Sequence, residues 1–234
     1  MDVTSEMIEV STPAGKMPAQ LARPAAGEAP AAIVVVQEAF GLNAHIQGVA
    51  RRLAAEGYVT LAPDLYYRGG AGRTAGYDEL PRAIEMMGAL RDDGIVDDVR
   101  AAIAQLRAQP GVRADRIGIT GFCMGGRVSY LAACALPGDV AAAVPFYGGG
   151  IPVERTATLA APVLAFFGED DAFIPLPQVE RLRAEAARLG KSVEIVVYPK
   201  AGHGFFCDER ASYQAEAAAD AWRRMLAFFR QRLA

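Results

Sequence analysis

The sequence predicts an α/β protein in which a mostly parallel β-sheet is covered by helices on both faces. Short apolar runs alternate with amphipathic segments along most of the 234 residues, with short connections between them. Residues 31–37 are almost continuously apolar, which is typical of a strand buried on both faces. Repeated strand–helix units with short connections favour a parallel sheet between helices. We expect one domain over residues 1–234, because α/β domains often reach this length.

The elements at the start of the chain follow from local patterns. The turn residues 13–15 lie between two short strand-like runs, at residues 7–10 and 17–21, and predict a hairpin that adds antiparallel edge strands. After the strand at 31–37, Asn43 is suited to cap a helix, because its side chain can accept a backbone N–H from the first turn. Gly57 ends that helix.

The rest of the chain continues the alternation. Residues 64–77 are rich in Gly, Arg and Tyr and predict an irregular loop. Helices are predicted from apolar positions at helical spacing, and strands from short apolar runs. Strands are expected at residues 58–62, 116–120, 141–147, 162–167 and 193–198, and helices at residues 81–90, 95–107, 124–136, 179–189 and 213–233.

Composition argues against several functional classes. The chain has 24 Lys and Arg against 27 Asp and Glu, a formal net charge of -3, so no electrostatic attraction to nucleic acid or anionic lipid is expected. No apolar run is long enough to span a bilayer, and residues 1–6 lack the basic start of a signal peptide, so a cytoplasmic location is expected. Three cysteines and two histidines, without CxxC or HxxxH spacing, argue against a disulfide framework and a zinc site.

One segment has the pattern of a nucleophile elbow. A predicted strand runs into Gly-x-Cys-x-Gly, centred on Cys123, and then directly into a predicted helix. Such a turn is sharp, so its close neighbours must lack side chains, as Gly121, Gly125 and Gly126 do. The positive end of the helix favours the thiolate, and the backbone N–H of Met124 is placed to stabilise an oxyanion.

Each cysteine also has a structural interpretation. Buried, inert cysteines are common in proteins, and Cys123 could be one in a glycine-rich turn. The strand–turn–helix context favours a functional role for it instead. Cys134 lies in the middle of a predicted helix among apolar residues, so we interpret it as a core residue.

A cysteine nucleophile needs a base, and the base needs an acid that orients it. His203 follows a predicted strand and is flanked by glycines, so we interpret it as the base. His45, at the start of a predicted helix, is interpreted as structural. The acid is expected between the cysteine and the histidine in the chain, where Glu169, Asp170 and Asp171 follow a strand. Spacing alone does not separate the last two.

Five segments, in this order, resemble the dienelactone hydrolase family of α/β-hydrolases: residues 37–43, 62–66, 121–126, 171–175 and 201–205. The resemblance extends over residues 7–232 and implies the α/β-hydrolase fold. In the family, the acid is followed by two residues and then Val or Ile and Pro, a pattern that selects Asp171. The resemblance therefore implies a Cys123–His203–Asp171 triad that hydrolyses esters and lactones through an acyl-enzyme, without cofactor or metal.

The family also implies roles for two residues after the first parallel strand. The Glu38 carboxylate would contact the thiol and hold it protonated while the site is empty, and the backbone N–H of Ala39 would be the second oxyanion donor. Family members that act on dienelactone hold the substrate carboxylate with arginines. Arg82 matches one of these, Cys207 occupies the place of another, and Arg210 is close enough in the chain to substitute for it.

Two other functional classes remain open. Cys123 together with Cys207 could serve as a thiol redox or sensing pair, although there is no CxxC partner. The fold could also be a binding module without catalysis, against which the full set of nucleophile, acid and base argues. The expected partner is a small-molecule ester or lactone, with no nucleic acid or membrane, and the protein is expected to be a monomer or small homo-oligomer.

Overall fold

The centre of the fold is an eight-stranded β-sheet, here described from a computed structural model for residues 1–27 and 29–234. The strands are β1 Val3–Thr12, β2 Gly15–Pro24, β3 Ala32–Val36, β4 Val59–Pro63, β5 Ile117–Phe122, β6 Ala142–Phe146, β7 Val163–Gly168 and β8 Val193–Tyr198. Their order across the sheet is β1-β2-β4-β3-β5-β6-β7-β8.

The sheet is parallel except at one edge. Strands β1 and β2 form the predicted hairpin, and β2 also runs antiparallel to β4. All other neighbouring strands are parallel. For example, Ala32 of β3 lies opposite Ile117 of β5, and Val163 of β7 lies opposite Val193 of β8. The predicted architecture is therefore confirmed. Both hairpin strands are longer than predicted. In β1 the reason is that most side chains are exposed, so the strand shows no apolar alternation.

The described residues contain six α-helices: α1 Ala44–Ala55, α2 Leu80–Gly88, α3 Asp92–Arg107, α4 Met124–Ala135, α5 Leu176–Arg188 and α6 Ala215–Arg232. The first five lie between strands, and α6 follows β8. Asn43 caps α1 as predicted, since its Oδ1 accepts the Ile46 N–H at 3.1 Å. Helix α5 begins three residues before its predicted start, because a proline fits the first turn of a helix. Within the described residues, no helix is long and apolar enough to cross a membrane.

Two glycines of β5 show that helices cover both faces of the sheet. A Cβ atom at Gly118 would lie 2.8 Å from the ring of Phe229 in α6. A Cβ atom at Gly121 would collide with the backbone of Gly125 in α4. Positions three apart in a strand point to opposite faces, so α4 and α6 pack on opposite sides of β5.

The sheet topology gathers the predicted site residues at one edge. The parallel strands β3, β5, β7 and β8 all end on the same side of the sheet, where open α/β folds build their sites. Glu38 follows β3, Cys123 follows β5, Asp171 follows β7 and His203 follows β8. Segments that are far apart in the chain thus meet in one place.

Candidate active site

Cys123 occupies the turn between β5 and α4. Its φ of 56° lies in the left-handed region, which is strained for a residue with a side chain. The turn is held by the Cys123 N–H, which donates to the Phe146 carbonyl at 3.1 Å. The half-buried cysteine lines a cleft of about 680 Å³. A strained residue held at the mouth of a cleft is what the elbow pattern predicts.

The predicted glycines explain how the turn packs so tightly. A Cβ atom at Gly125 would collide with the carbonyl oxygen of Val36, at the end of β3. A Cβ atom at Gly126 would collide with the carbonyl oxygen of Phe146, at the end of β6. The first turn of α4 therefore rests directly on the backbone of two neighbouring strands, and this position allows no side chain.

His203 lines the same cleft as Cys123 and is held from behind by an acid. Its Nδ1 lies 2.8 Å from Oδ2 of Asp171, whose side chain is fully buried. The other oxygen, Oδ1, accepts the backbone N–H groups of Phe173 and Ile174 at 2.9 and 3.1 Å. Three hydrogen bonds thus fix the carboxylate, and the carboxylate fixes the orientation of the imidazole.

The environment of His203 favours its protonated form. Burial works against the charge, but the hydrogen bond with Asp171 and the nearby Cys123 sulfur outweigh it and raise the pKa of His203 from 6.5 to about 9. At neutral pH the ring is therefore an imidazolium.

The competing candidates lie elsewhere. The side chains of Glu169 and Asp170 are exposed, and Glu169 accepts only the Lys200 N–H at 3.2 Å. His45 is buried, with its ring edge-on to Phe122, and its Nδ1 lies 3.6 Å from an Asp208 oxygen. It packs in the core and does not line the cleft.

Two backbone N–H groups are free at the cleft. Within the described residues, those of Met124 and Ala39 donate to no acceptor, and both residues line the cleft with Cys123. Tyr66 joins the two, because its hydroxyl donates to the Ala39 carbonyl at 2.8 Å and contacts the Met124 sulfur at 3.6 Å. The pair can receive a developing negative charge on a substrate oxygen.

Glu38 is fully buried, and its carboxylate has two partners. Its Oε2 accepts the Tyr77 hydroxyl at 2.9 Å, and its Oε1 lies 3.6 Å from Nη1 of Arg210. Cys207 donates its thiol to the same Tyr77 oxygen at 3.1 Å. Among the described residues, Glu38 forms no hydrogen bond with Cys123. The predicted hydrogen bond between the carboxylate and the thiol is therefore not formed in this structure, where Tyr77 and Arg210 engage the carboxylate.

The predicted substrate arginine, Arg82, lies outside the cleft. Its exposed side chain pairs with Glu79 at 3.4 Å, one turn earlier in the chain. Two other arginines line the cleft. Arg210 lies over the rings of Phe40 and Tyr77, and Arg127 forms a two-point ion pair with Asp92 at 2.8 and 3.0 Å. Sequence reasoning missed Tyr77, for which the only local signal is an aromatic residue at the end of an irregular loop.

A family model described as the dienelactone hydrolase family matches residues 17–233. The chain belongs to the dienelactone hydrolase family. It is 38% identical over 248 residues to a Synechocystis protein (100% of this chain, 99% of that protein). It is 40% identical over 228 residues to one from Methylorubrum extorquens (93% and 77%). Both relatives have the provisional name carboxymethylenebutenolidase. A Klebsiella pneumoniae crystal structure, provisionally described as a dienelactone hydrolase, matches with a TM-score of 0.92 and 38% identity, covering 99% and 100%.

Membership of the dienelactone hydrolase family confirms the resemblance, the α/β-hydrolase fold and the predicted enzyme class, a hydrolase. It gives no support to the thiol-sensor alternative. The buried position of Cys207 also opposes that alternative, because burial and the nearby Glu38 carboxylate raise the pKa of its thiol to about 12. Reactive thiols have lowered pKa values. Among the described residues, no three His, Cys, Asp or Glu side chains are grouped to bind a metal ion.

Proposed function

We propose that this dienelactone hydrolase family member cleaves carboxylic esters or lactones through an acyl-enzyme on Cys123, with His203 as the base and Asp171 as its orienting acid. One observation carries the proposal. The strained Cys123 and His203 line one cleft, and the His203 ring is hydrogen-bonded at 2.8 Å to the buried Asp171. Nucleophile, base and acid also follow one another along the chain in the α/β-hydrolase order.

In the first step the Cys123 sulfur, whose proton has passed to Nε2 of His203, attacks the carbonyl carbon of the substrate. The carbonyl oxygen becomes negative and is stabilised by the N–H groups of Met124 and Ala39. His203 then gives the proton on its Nε2 to the leaving alkoxide, and the carbon–oxygen bond breaks. The alcohol leaves, or stays attached when the substrate is a lactone, and a thioester remains on Cys123.

In the second step His203, now neutral, takes a proton from a water molecule. The resulting hydroxide attacks the thioester carbonyl, and the same two N–H groups hold the oxyanion. Collapse of the intermediate releases the carboxylic acid, and the sulfur leaves as a thiolate beside the imidazolium. The sum of both steps is ester plus water giving acid plus alcohol, which needs neither cofactor nor metal.

Glu38 and Arg210 are positioning residues in this scheme. Glu38 directly precedes the proposed oxyanion donor Ala39, so the bonds that hold its carboxylate also hold that peptide. Tyr66 supports the same loop through the Ala39 carbonyl. A substrate-binding role for Arg82 has no contact in its favour, whereas Arg127 and Arg210 line the cleft.

Stopped-flow hydrolysis of p-nitrophenyl acetate tests the proposal. Wild-type protein is expected to release a burst of nitrophenol equal to the enzyme concentration, and mass spectrometry of the quenched protein should find one acetyl group on the peptide that contains Cys123. Cys123→Ala should abolish the burst and the turnover. Cys134→Ala is the matched control, because Cys134 is buried in the same helix away from the cleft. Turnover at wild-type rate in Cys123→Ala would sink the proposal.

A further inference from the structure

Large apolar side chains converge on the cleft instead of being buried. Leu80, Ile84 and Met87 form one stripe of α2, and all three line the cleft while remaining exposed. Phe173 forms a second wall of the same cleft; it is 63% exposed and lies edge-on to the His203 ring at 5.2 Å. Half of the large apolar residues that are exposed in the described part of the chain therefore belong to these two walls.

The charged groups of the cleft are already paired. Arg127 is bound at two points by Asp92, and it also donates to the Gly150 carbonyl at 3.1 Å. Arg210 faces the buried Glu38 carboxylate at 3.6 Å. A substrate carboxylate would have to compete with a carboxylate of the protein for either arginine. In the described part of the chain, the cleft therefore offers apolar surface, and both of its arginines already face a carboxylate of the protein.

The size of the cleft exceeds what a small ester fills. Its volume of about 680 Å³ lies in the range of sites that take drug-sized ligands. An acetyl or methyl ester would leave most of the apolar wall exposed to water. A longer hydrocarbon chain would cover this surface, and removing both surfaces from water favours binding.

Building on the proposed hydrolysis, we infer that the preferred substrate is an uncharged ester or lactone with an extended hydrocarbon chain, seated between the α2 stripe (Leu80, Ile84 and Met87) and Phe173. The chain begins at the carbonyl carbon that Cys123 attacks and runs along the stripe. Carboxylate-bearing substrates of equal length are disfavoured, because they would have to compete with Glu38 and Asp92 for the two arginines of the cleft.

Two substrate series test the inference. In p-nitrophenyl esters from acetate to octanoate, kcat/KM should rise about twofold per methylene, roughly 60-fold in all, because an open cleft buries only part of each methylene. The kcat/KM for the p-nitrophenyl ester of hexanoate should be at least tenfold higher than that for the adipate monoester, which has the same length and ends in a carboxylate. A flat chain-length series, or a preference for the carboxylate, would overturn the inference, while burst kinetics on acetate would still support the cysteine mechanism.

A charge in the stripe provides the second test. Ile84→Asp should lower kcat/KM for octanoate at least tenfold and for acetate less than twofold, because only the longer chain reaches it. Met7→Asp is the matched control: Met7 is 56% exposed and Ile84 52%, but Met7 lies on the edge strand β1. An equal effect of the two variants on octanoate would contradict the inference.

A binding measurement makes the test independent of turnover. Calorimetry on Cys123→Ala should show ethyl octanoate binding at least tenfold more tightly than ethyl butanoate, and Ile84→Asp in that background should remove the difference. Equal affinities for the two esters would refute the apolar site even if the protein hydrolysed no ester. If the wild-type protein hydrolysed no ester while the binding selectivity was preserved, only the cysteine mechanism would be refuted.

Discussion

Replacement of Asp171 by Asn is the sharpest single test of the site, because it removes a charge and keeps the shape of the side chain. The rise of the His203 pKa from 6.5 to about 9 corresponds to about 3 kcal/mol in favour of the imidazolium. The Asp171 hydrogen bond at 2.8 Å is the largest contribution that raises it, working against burial. If the proton transfers depend on this support, kcat/KM should fall on the order of 100-fold.

Two measurements test the effect of Asp171→Asn. Hydrolysis of p-nitrophenyl acetate gives kcat/KM, and NMR titration of the imidazole ring gives the pKa of His203 directly. The chain has only two histidines, so the spectrum contains two ring systems, and that of His45 serves as the reference outside the cleft. The His203 pKa should move from about 9 towards its ordinary value in Asp171→Asn.

Asp170→Asn is the control, because it removes the same charge one residue away on an exposed side chain. It should change kcat/KM less than twofold and leave the His203 pKa in place. The reasoning is refuted if both variants lose activity equally, or if the His203 pKa stays near 9 in Asp171→Asn.

Three further predictions concern stability. Arg210→Met should lower the free energy of unfolding by about 3 kcal/mol, because it leaves Glu38 buried without a counter-charge. Arg82→Met changes an exposed side chain and should lower it by less than about 0.5 kcal/mol. Urea denaturation measures both losses, and equal losses would contradict the assignment. Gly126→Ala should lower the free energy of unfolding by more than about 3 kcal/mol or prevent folding, because its Cβ meets the Phe146 carbonyl. Gly88→Ala, with open space around it, should leave the stability unchanged or raise it. Thermal denaturation compares the two variants, and a stable Gly126→Ala would refute the packing argument. Between pH 6.5 and 9 the folded protein binds more protons than the unfolded chain, because the His203 pKa is raised. The free energy of unfolding should therefore fall by up to about 3 kcal/mol as the pH rises through this window. Urea titrations at several pH values should show this fall and its loss in His203→Gln, and an unchanged fall in that variant would assign it to another group.

The parts of the fold that were predicted well are those with local signals. Buried parallel strands are continuous apolar runs, and the Asn43 cap and the elbow glycines mark the boundaries of their helices. Strand β1 was predicted too short because most of its side chains are exposed, so burial imposes no alternation on them. The start of α5 was misplaced because its first turn contains a proline, which reads as a break but fits that position.

The site residues likewise divide into those that follow predicted strands and those whose contacts depend on packing. Cys123, Asp171 and His203 each follow a strand, so the topology brings them together once the strands are recognised. The partners of Glu38 could not be predicted, because Tyr77 and Arg210 reach it from loops whose paths depend on packing. Arg82 was placed by resemblance in a segment where the helical register decides direction, and α2 turns its side chain towards Glu79.

The order of the strands along the chain also sets the order in which the chemistry appears during synthesis. Cys123 leaves the ribosome roughly 80 residues before His203, which at ordinary translation rates is about 4–16 s. During that interval the nascent chain carries a thiol without its imidazole, and α6 is still missing from one face of β5. Esterase activity in a translation reaction should therefore appear only after β8 has joined the sheet and His203 has reached the cleft.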